Sequence, residues 1–144
     1  MNETVFALHM FSTLALVGLI WFVQVVHYPL FDRVGRDGFP VYESLHQSRT
    51  TLVVAPLMLT EAMTAILLVW LQPASISAVF TWGGLMLVGV IWASTLFWQV
   101  PAHERLGKAY DRAAHHRLVR SNWVRTAAWT SRGFLVCWIA ARAS

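Results

Sequence analysis

The sequence predicts an all-α membrane protein, one domain over residues 1–144, folded as a polytopic bundle of four transmembrane helices. Three observations predict it. Hydrophobic residues make up 57% of the chain and charged residues only 12%, where soluble domains carry roughly a quarter charged. Four apolar runs, near 5–28, 50–71, 76–100 and 123–141, match the ~20 helical residues that cross a hydrocarbon core. The ten-residue alternation of a barrel strand is absent, and an open strand edge finds no hydrogen-bond partner in lipid, so helices are the spanning elements.

The first run, Val5 to Tyr28, lacks a basic leader and a small-residue cleavage site, so it is expected to be a retained helix and not a signal peptide. The connection 32–49 holds Gly35, Gly38 and Pro40, then V-Y-E-S-L-H-Q-S-R, expected as a short helix on the membrane surface. The second run, Thr50 to Leu71, leads into a tight turn at Gln72–Ser75, and the third runs from Ile76 to Val100. The connection 104–122 contains no proline and reads E-R-L-G-K-A-Y-D-R-A-A-H-H-R-L-V-R. It is expected to prolong the third or fourth helix, with Leu106, Tyr110, Ala113 or Ala114, and Leu118 on one face. The last run, Trp123 to Ala141, holds the single cysteine, Cys137. No disulfide can form within one chain.

A net charge of +4 and a pI near 10.0 would suit nucleic acid, but the positions of the cations exclude that partner. Arg33, Arg36 and Arg49 flank the first connection; Arg105, Lys108, Arg112, Arg117, Arg120 and Arg125 flank the third; the second has none. This asymmetry places connections 32–49 and 104–122 in the cytoplasm and both termini outside. The lipid bilayer is the main partner, and the basic face suits anionic headgroups. Trp21, Trp98 and Trp123 fall near the inner ends of the runs and Trp70, Trp82 and Trp138 near the outer ends, as interfacial belts require. Trp92 and Trp129 lie deeper, as packing residues or pocket walls.

Ionisable groups in mid-span cost about 2.5–3.5 kcal/mol on insertion scales and mark function or pairing. Glu61 and Arg132 qualify, lying about 16 and 14 Å from the inner ends of their runs at the α-helical rise. They form an ion pair across the bundle, or else Glu61 is a free carboxylate that takes a proton or a cation while Arg132 tunes it. Gln24 and His27 share a face of the first helix; Asn122, Arg125, Trp129 and Arg132 form a stripe on the fourth. His27, His46 and His103 each border the inner surface and are expected to converge there. With Glu61 they could bind iron, copper or zinc, although no local ligand motif is present; a bis-histidine haem is less favoured. Gln24/Gln99, His27/His103, Arg49/Arg120 and Glu61/Arg132 recur at offsets of 75, 76, 71 and 71. That pattern fits two repeated helix hairpins as well as it fits chance.

The signatures Q-V-V-H-Y-P, P-A-H-E-R-L and N-W-V-R-T-A-A-W-T-S-R, with the four-span layout, resemble small bacterial four-helix membrane proteins loosely grouped with anthrone-oxygenase-like proteins. The resemblance implies a multi-pass protein of the bacterial inner membrane and transfers no catalytic residue. It favours an oxidoreductase or oxygenase acting on a lipophilic small molecule in a pocket open to the cytoplasmic leaflet. Glu61, Arg132 and His27 are the expected catalytic groups there. Gln24, Trp98, Gln99, Asn122, Trp123, Arg125 and Trp129 are expected to line the pocket. The competing readings are a small oligomeric ion or proton channel or carrier built on Glu61 and Arg132, and a non-enzymatic accessory protein. Small residues such as Gly89 and Ala93 permit close helix packing, within a chain or in a homo-oligomer.

Overall fold

The computed structural model describes residues 2–71 and 76–143. Among them the protein is helical with no strand, arranged as four long rods. The first is helix α1 (Glu3–Phe22), continued by a π-helical turn (Val23–His27) and a 3-10 turn (Pro29–Arg33). The second is helix α2 (Phe39–Leu71). The third is helix α3 (Ala78–Ser94), a π-helical turn (Thr95–Gln99) and helix α4 (Val100–Lys108), and the fourth is helix α5 (Arg112–Ala143). The tight turn expected at Gln72–Ser75 lies outside the described residues.

Local chemistry sets these boundaries. The Asn2 side chain accepts the Val5 N–H at 3.2 Å at the start of α1, and Asp111 accepts those of Ala113 and Ala114 at 2.8 and 3.3 Å at the start of α5. Between the first two rods Gly35 sits at φ 84°, a left-handed conformation that glycine adopts without a Cβ penalty. The two π turns have a common cause. Pro29 and Pro101 lack an N–H, and just before each the backbone reaches one residue further back than an α-helix does. Tyr28 N–H donates to Val23 O at 2.9 Å, and Val100 N–H donates to Thr95 O. Each turn thereby absorbs an extra residue and carries a glutamine, Gln24 or Gln99, into the interior.

The first three rods are long and apolar enough to cross a membrane. Helix α5 has 32 residues, yet apolarity alone does not mark it as a span, because Asn122, Arg125 and Arg132 occupy its middle. All three are buried. Its polar stripe faces the other helices and not the surroundings, while Phe134 on the opposite side is 74% exposed.

One connection differs from expectation. The segment V-Y-E-S-L-H-Q-S-R is not a separate surface helix but the first turns of α2, which starts at Phe39 and not near Thr50. The connection 104–122, expected to prolong the third or fourth helix, extends both: α4 prolongs the third rod, and the fourth helix starts at Arg112, eleven positions before Trp123. Hydropathy registers only apolar runs, whereas these amphipathic turns carry polar residues on the packed face. At about 1.5 Å per residue, the 33 residues of α2 reach well past a ~30 Å hydrocarbon layer.

Helix α1 packs on α2 and α5, and α3 packs on the same two, so the rods form a square with α1 diagonal to α3 and α2 diagonal to α5. Leu16, Ile20, Met58, Ile91, Ala128 and Trp129 fill its middle. A second cluster, around Phe31, Phe39, Leu106 and Leu118, closes the end that carries the basic connections. Leu106, Ala114 and Leu118 are buried there, but from two helices and not from one shared face, because the break between Lys108 and Arg112 puts Leu106 on α4, Ala114 and Leu118 on α5, and Tyr110 between them. Gly133 lets α5 approach α1: a Cβ would meet Val17 Cγ2 at 3.1 Å.

Candidate functional site

Between the two clusters the square is incompletely filled. A cavity of ≈ 340 Å³ is walled by apolar residues of α1, α2 and α3, among them Ile20, Met58 and Trp92, with Trp129 from α5. Its wall includes the exposed residues Thr51, Leu96 and Val100, so its mouth lies between the second and third rods. The volume lies within the roughly 300–1,000 Å³ range of small-molecule pockets.

Polar groups gather at the end nearest the connections. The Tyr28 hydroxyl is 2.9 Å from His103 Nε2, and His103 Nδ1 is 2.5 Å from Glu43 Oε1. Glu43 is fully buried. An ionised Glu43 accepts the Nδ1–H, which leaves Nε2 free to accept from Tyr28. Gln47 Nε2 fixes the assembly by donating to Glu43 Oε1 at 3.1 Å and to the His103 carbonyl at 3.2 Å. Each participant is placed by a feature of its own rod. Tyr28 sits between the first π turn and Pro29, His103 follows the second π turn and Pro101, and Glu43 and Gln47 are one turn apart on the extended start of α2. Tyr28 and His103 line the cavity, so the chain runs from cavity wall to buried carboxylate. A carboxylate–imidazole–hydroxyl series of this kind moves protons.

Two further polar side chains reach the same cavity with bonding capacity left. Gln99 donates from Nε2 to Ser121 Oγ at 2.8 Å, but its buried Oε1 has no partner. Arg125 donates from Nη1 to Asn122 Oδ1 at 3.3 Å, faces the Tyr28 hydroxyl, and lies over the Trp129 ring at 5.0 Å. Its Nε has no partner. Among the described residues it forms no ion pair.

His27, His46 and His103 do lie together. His27 Nε2 is 2.9 Å from His46 Nδ1, Thr50 Oγ1 is 3.0 Å from the same nitrogen, and the His46 and His103 rings are 5.3 Å apart. The expected metal set does not assemble, however. Glu61 is not with the histidines, His27 and His46 direct nitrogens at each other, and both His103 nitrogens are engaged. Among the described residues no group of three or more His, Cys, Asp or Glu side chains is disposed to hold a metal ion. As arranged, these donors do not present the expected site for iron, copper or zinc among the described residues.

Glu61 instead pairs with Arg132 across the α2–α5 diagonal, Nε to Oε1 at 2.8 Å. Thr13 Oγ1 donates to the same oxygen at 2.9 Å and Trp129 Nε1 to Oε2 at 3.0 Å. Arg132 Nη1 donates to the Gly84 carbonyl, and Nη2 meets His9 Nε2 at 3.2 Å, whose Nδ1 meets Thr64 Oγ1 at 2.8 Å. One saturated network thus ties together all four rods. His9, in the first half of α1, belongs to it.

The remaining expected pocket residues divide. Gln99, Arg125 and Trp129 line the cavity. Gln24 and Asn122 do not, because they satisfy each other at 2.9 Å and join α1 to α5. Trp98 and Trp123 are corrected to the outer surface, 47% and 49% exposed. Each is the chain neighbour of an inward polar residue, and one helical position turns it about 100° away. Trp123 stacks edge-on with Trp21, centroids 5.8 Å apart. Sequence reasoning missed Tyr28 and Glu43. Tyr28 stands beside His27 in the very motif Q-V-V-H-Y-P, and Glu43 lies in a stretch expected to face solvent. In comparisons with family models, curated proteins and solved structures nothing matches this chain.

Proposed function

We propose that the chain is a membrane-embedded oxygenase-like enzyme that takes a lipophilic small molecule from the bilayer and removes a proton from it. The observation that carries this reading is the Tyr28–His103–Glu43 series at the head of an apolar cavity. A substrate with an acidic C–H conjugated to a carbonyl, directly or through an aromatic ring, enters between the second and third rods. Its proton passes to the Tyr28 oxygen as the Tyr28 proton passes to His103 Nε2, and the buried Glu43 carboxylate stabilises the imidazolium that forms. Arg125 faces the enolate oxygen. With dioxygen as the oxidant, the activated methylene becomes a carbonyl and the second oxygen atom leaves as water. That balance needs no other reductant and agrees with the anthrone-oxygenase-like resemblance.

In this reading α5 is a fourth span and the connections face the cytoplasm, which the basic residues there and the exposed Phe134 support. The halves α1–α2 and α3–α5 form two similar hairpins about an axis along the membrane normal. The paired π turns, the buried glutamines in them and the diagonal Glu61–Arg132 pair support that arrangement. A channel or carrier would need an uncommitted carboxylate, whereas the Glu61 oxygens accept three hydrogen bonds.

The test is oxygen consumption by the purified protein in phosphatidylcholine nanodiscs with anthrone, whose doubly benzylic methylene flanks two rings. Oxygen uptake above that of empty discs, lost in His103→Ala, is the expected result. A rate equal to that of empty discs overturns the enzymatic reading.

A further inference from the structure

Arg125 calls for a partner that the chain itself does not supply. An arginine stays ionised at any pH a protein meets, and a cation removed from water costs several kcal/mol unless an anion offsets it. The other buried mid-bundle cation, Arg132, has its carboxylate at 2.8 Å. Arg125 is equally interior, 7% exposed, yet its contacts are a neutral amide, a neutral hydroxyl and an indole face. Glu43, the other buried carboxylate, gives Oε1 to His103 and Gln47 and leaves Oε2 without a partner, but two side chains, Tyr28 and His103, intervene between it and Arg125.

Arg125 and Gln99 both line the cavity, and each keeps one buried polar atom without a partner. Arg125 Nε can donate and has no acceptor, while the guanidinium is steadied from behind by Trp129, whose own N–H is fixed on Glu61. On the α3 side, Gln99 Oε1 can accept and has no donor. A ligand presenting an anionic oxygen to Arg125 would be recognised by charge and direction together. A hydroxyl or acid proton beside that oxygen would find Gln99. Leu16, Ile20, Val54, Met58 and Trp92 give much of the remaining wall an apolar surface, and no further charged side chain apart from the histidines lines it.

We infer that Arg125 and Gln99 form an anion-binding subsite at the head of the cavity, and that the ligand is a lipophilic acid with one carboxylate or phenolate oxygen group on an apolar body. This deepens the proposed function and rests on its placement of the ligand in this cavity. The assignment also gives the unpaired cation a role in the reaction: it is poised for a negatively charged oxygen, whether brought in by the ligand or generated when the relay withdraws a proton.

The experiment compares three heads on one ring: 2-naphthoate, 2-naphthylmethanol and 2-naphthylmethylammonium. Equilibrium binding is measured by filtration on phosphatidylcholine nanodiscs holding the protein, with empty discs subtracted for partitioning. The expected order is naphthoate tightest, roughly tenfold or more over the alcohol, as a charge-assisted hydrogen bond provides, and the ammonium weakest. Arg125→Gln is expected to bring naphthoate down to the alcohol, with alcohol binding within about threefold of wild type, the range left when only the headgroup contact is lost. The wild-type series needs no variant, so a poorly folding Arg125→Gln does not blunt the test. If the alcohol binds and naphthoate binds no better, the anion subsite is overturned while the cavity reading stands. If none of the three binds, the cavity reading fails, and the subsite with it.

Discussion

Glu61 and Arg132 are the two charges that a single hydropathy scan of this chain cannot overlook, and their geometry gives them a structural duty. Each is completely enclosed, and removing one leaves the other as an unpaired buried charge, which costs about 3–5 kcal/mol where pairs of this kind have been cut. Arg132→Leu and Glu61→Gln should therefore each lower the thermal unfolding midpoint in detergent. The double variant should recover most of the loss, since it leaves no bare charge. Additive losses would mean that the hydrogen bonds to Thr13, Trp129 and Gly84 matter more than the pairing. Tyr28 invites the opposite experiment. Tyr28→Phe keeps the buried ring and removes only the proton carrier. It should cut anthrone-dependent oxygen uptake by roughly 10²–10⁴-fold, the usual share of a positioned acid or base, while leaving the unfolding midpoint and naphthoate binding nearly unchanged. A loss confined to KM would assign Tyr28 to binding alone. These residues differ in how far they can be read from sequence. A carboxylate amid leucines announces itself, whereas Tyr28 and Glu43 are ordinary at a membrane boundary. Only the fold reveals that His103, sixty positions beyond Glu43, closes the series.

At the scale of elements, the two π turns position the site. Each precedes a proline and rotates a glutamine inward, and after them come Tyr28 and His103, the two ends of one hydrogen bond. A π turn is an α-helix with one residue too many, so deletion of one outward residue regularises it. Phe97 is 74% exposed and is the residue to remove. The variant should retain its helical circular dichroism, because the flanks stay in register. Gln99 should swing away by about 100° per residue, and naphthoate binding should weaken severalfold. Unaltered binding would show that the bulge has no part in setting the subsite. The prolines were visible in the sequence; their effect was not, since a proline in a helix equally permits a kink or a break. The extended beginning of α2 was hidden for a related reason. Its packed face carries Glu43, which reads as surface polarity until a neighbouring rod is set against it.

The whole molecule turns on whether α5 crosses the bilayer, and its composition alone cannot decide that. Three rods qualify by apolar length; the fourth holds an asparagine and two arginines in its middle. In isolation it would be a poor span. Within the square its polar stripe faces Gln24, Glu61 and Tyr28, leaving Trp123, Val124 and Phe134 outward. Hydropathy counts residues one by one, so it charges α5 for polar groups that never meet lipid. If α5 crosses, Asn2 and Arg142 lie on one side of the membrane and Arg36 and Lys108 on the other. Cys137 is the only cysteine, which makes the measurement simple: in a Cys137→Ser background, single cysteines at those four exposed positions are labelled in sealed vesicles by a membrane-impermeant maleimide. Positions 36 and 108 should react together, and positions 2 and 142 together from the opposite face. Should position 142 label with position 36, α5 lies on the loop side and the four-span bundle is wrong. The diagonal ion pair would then have to form without a bilayer around it. A match of the expected pattern instead makes the buried polarity of α5 a consequence of assembly, with insertion of the fourth span dependent on the first three.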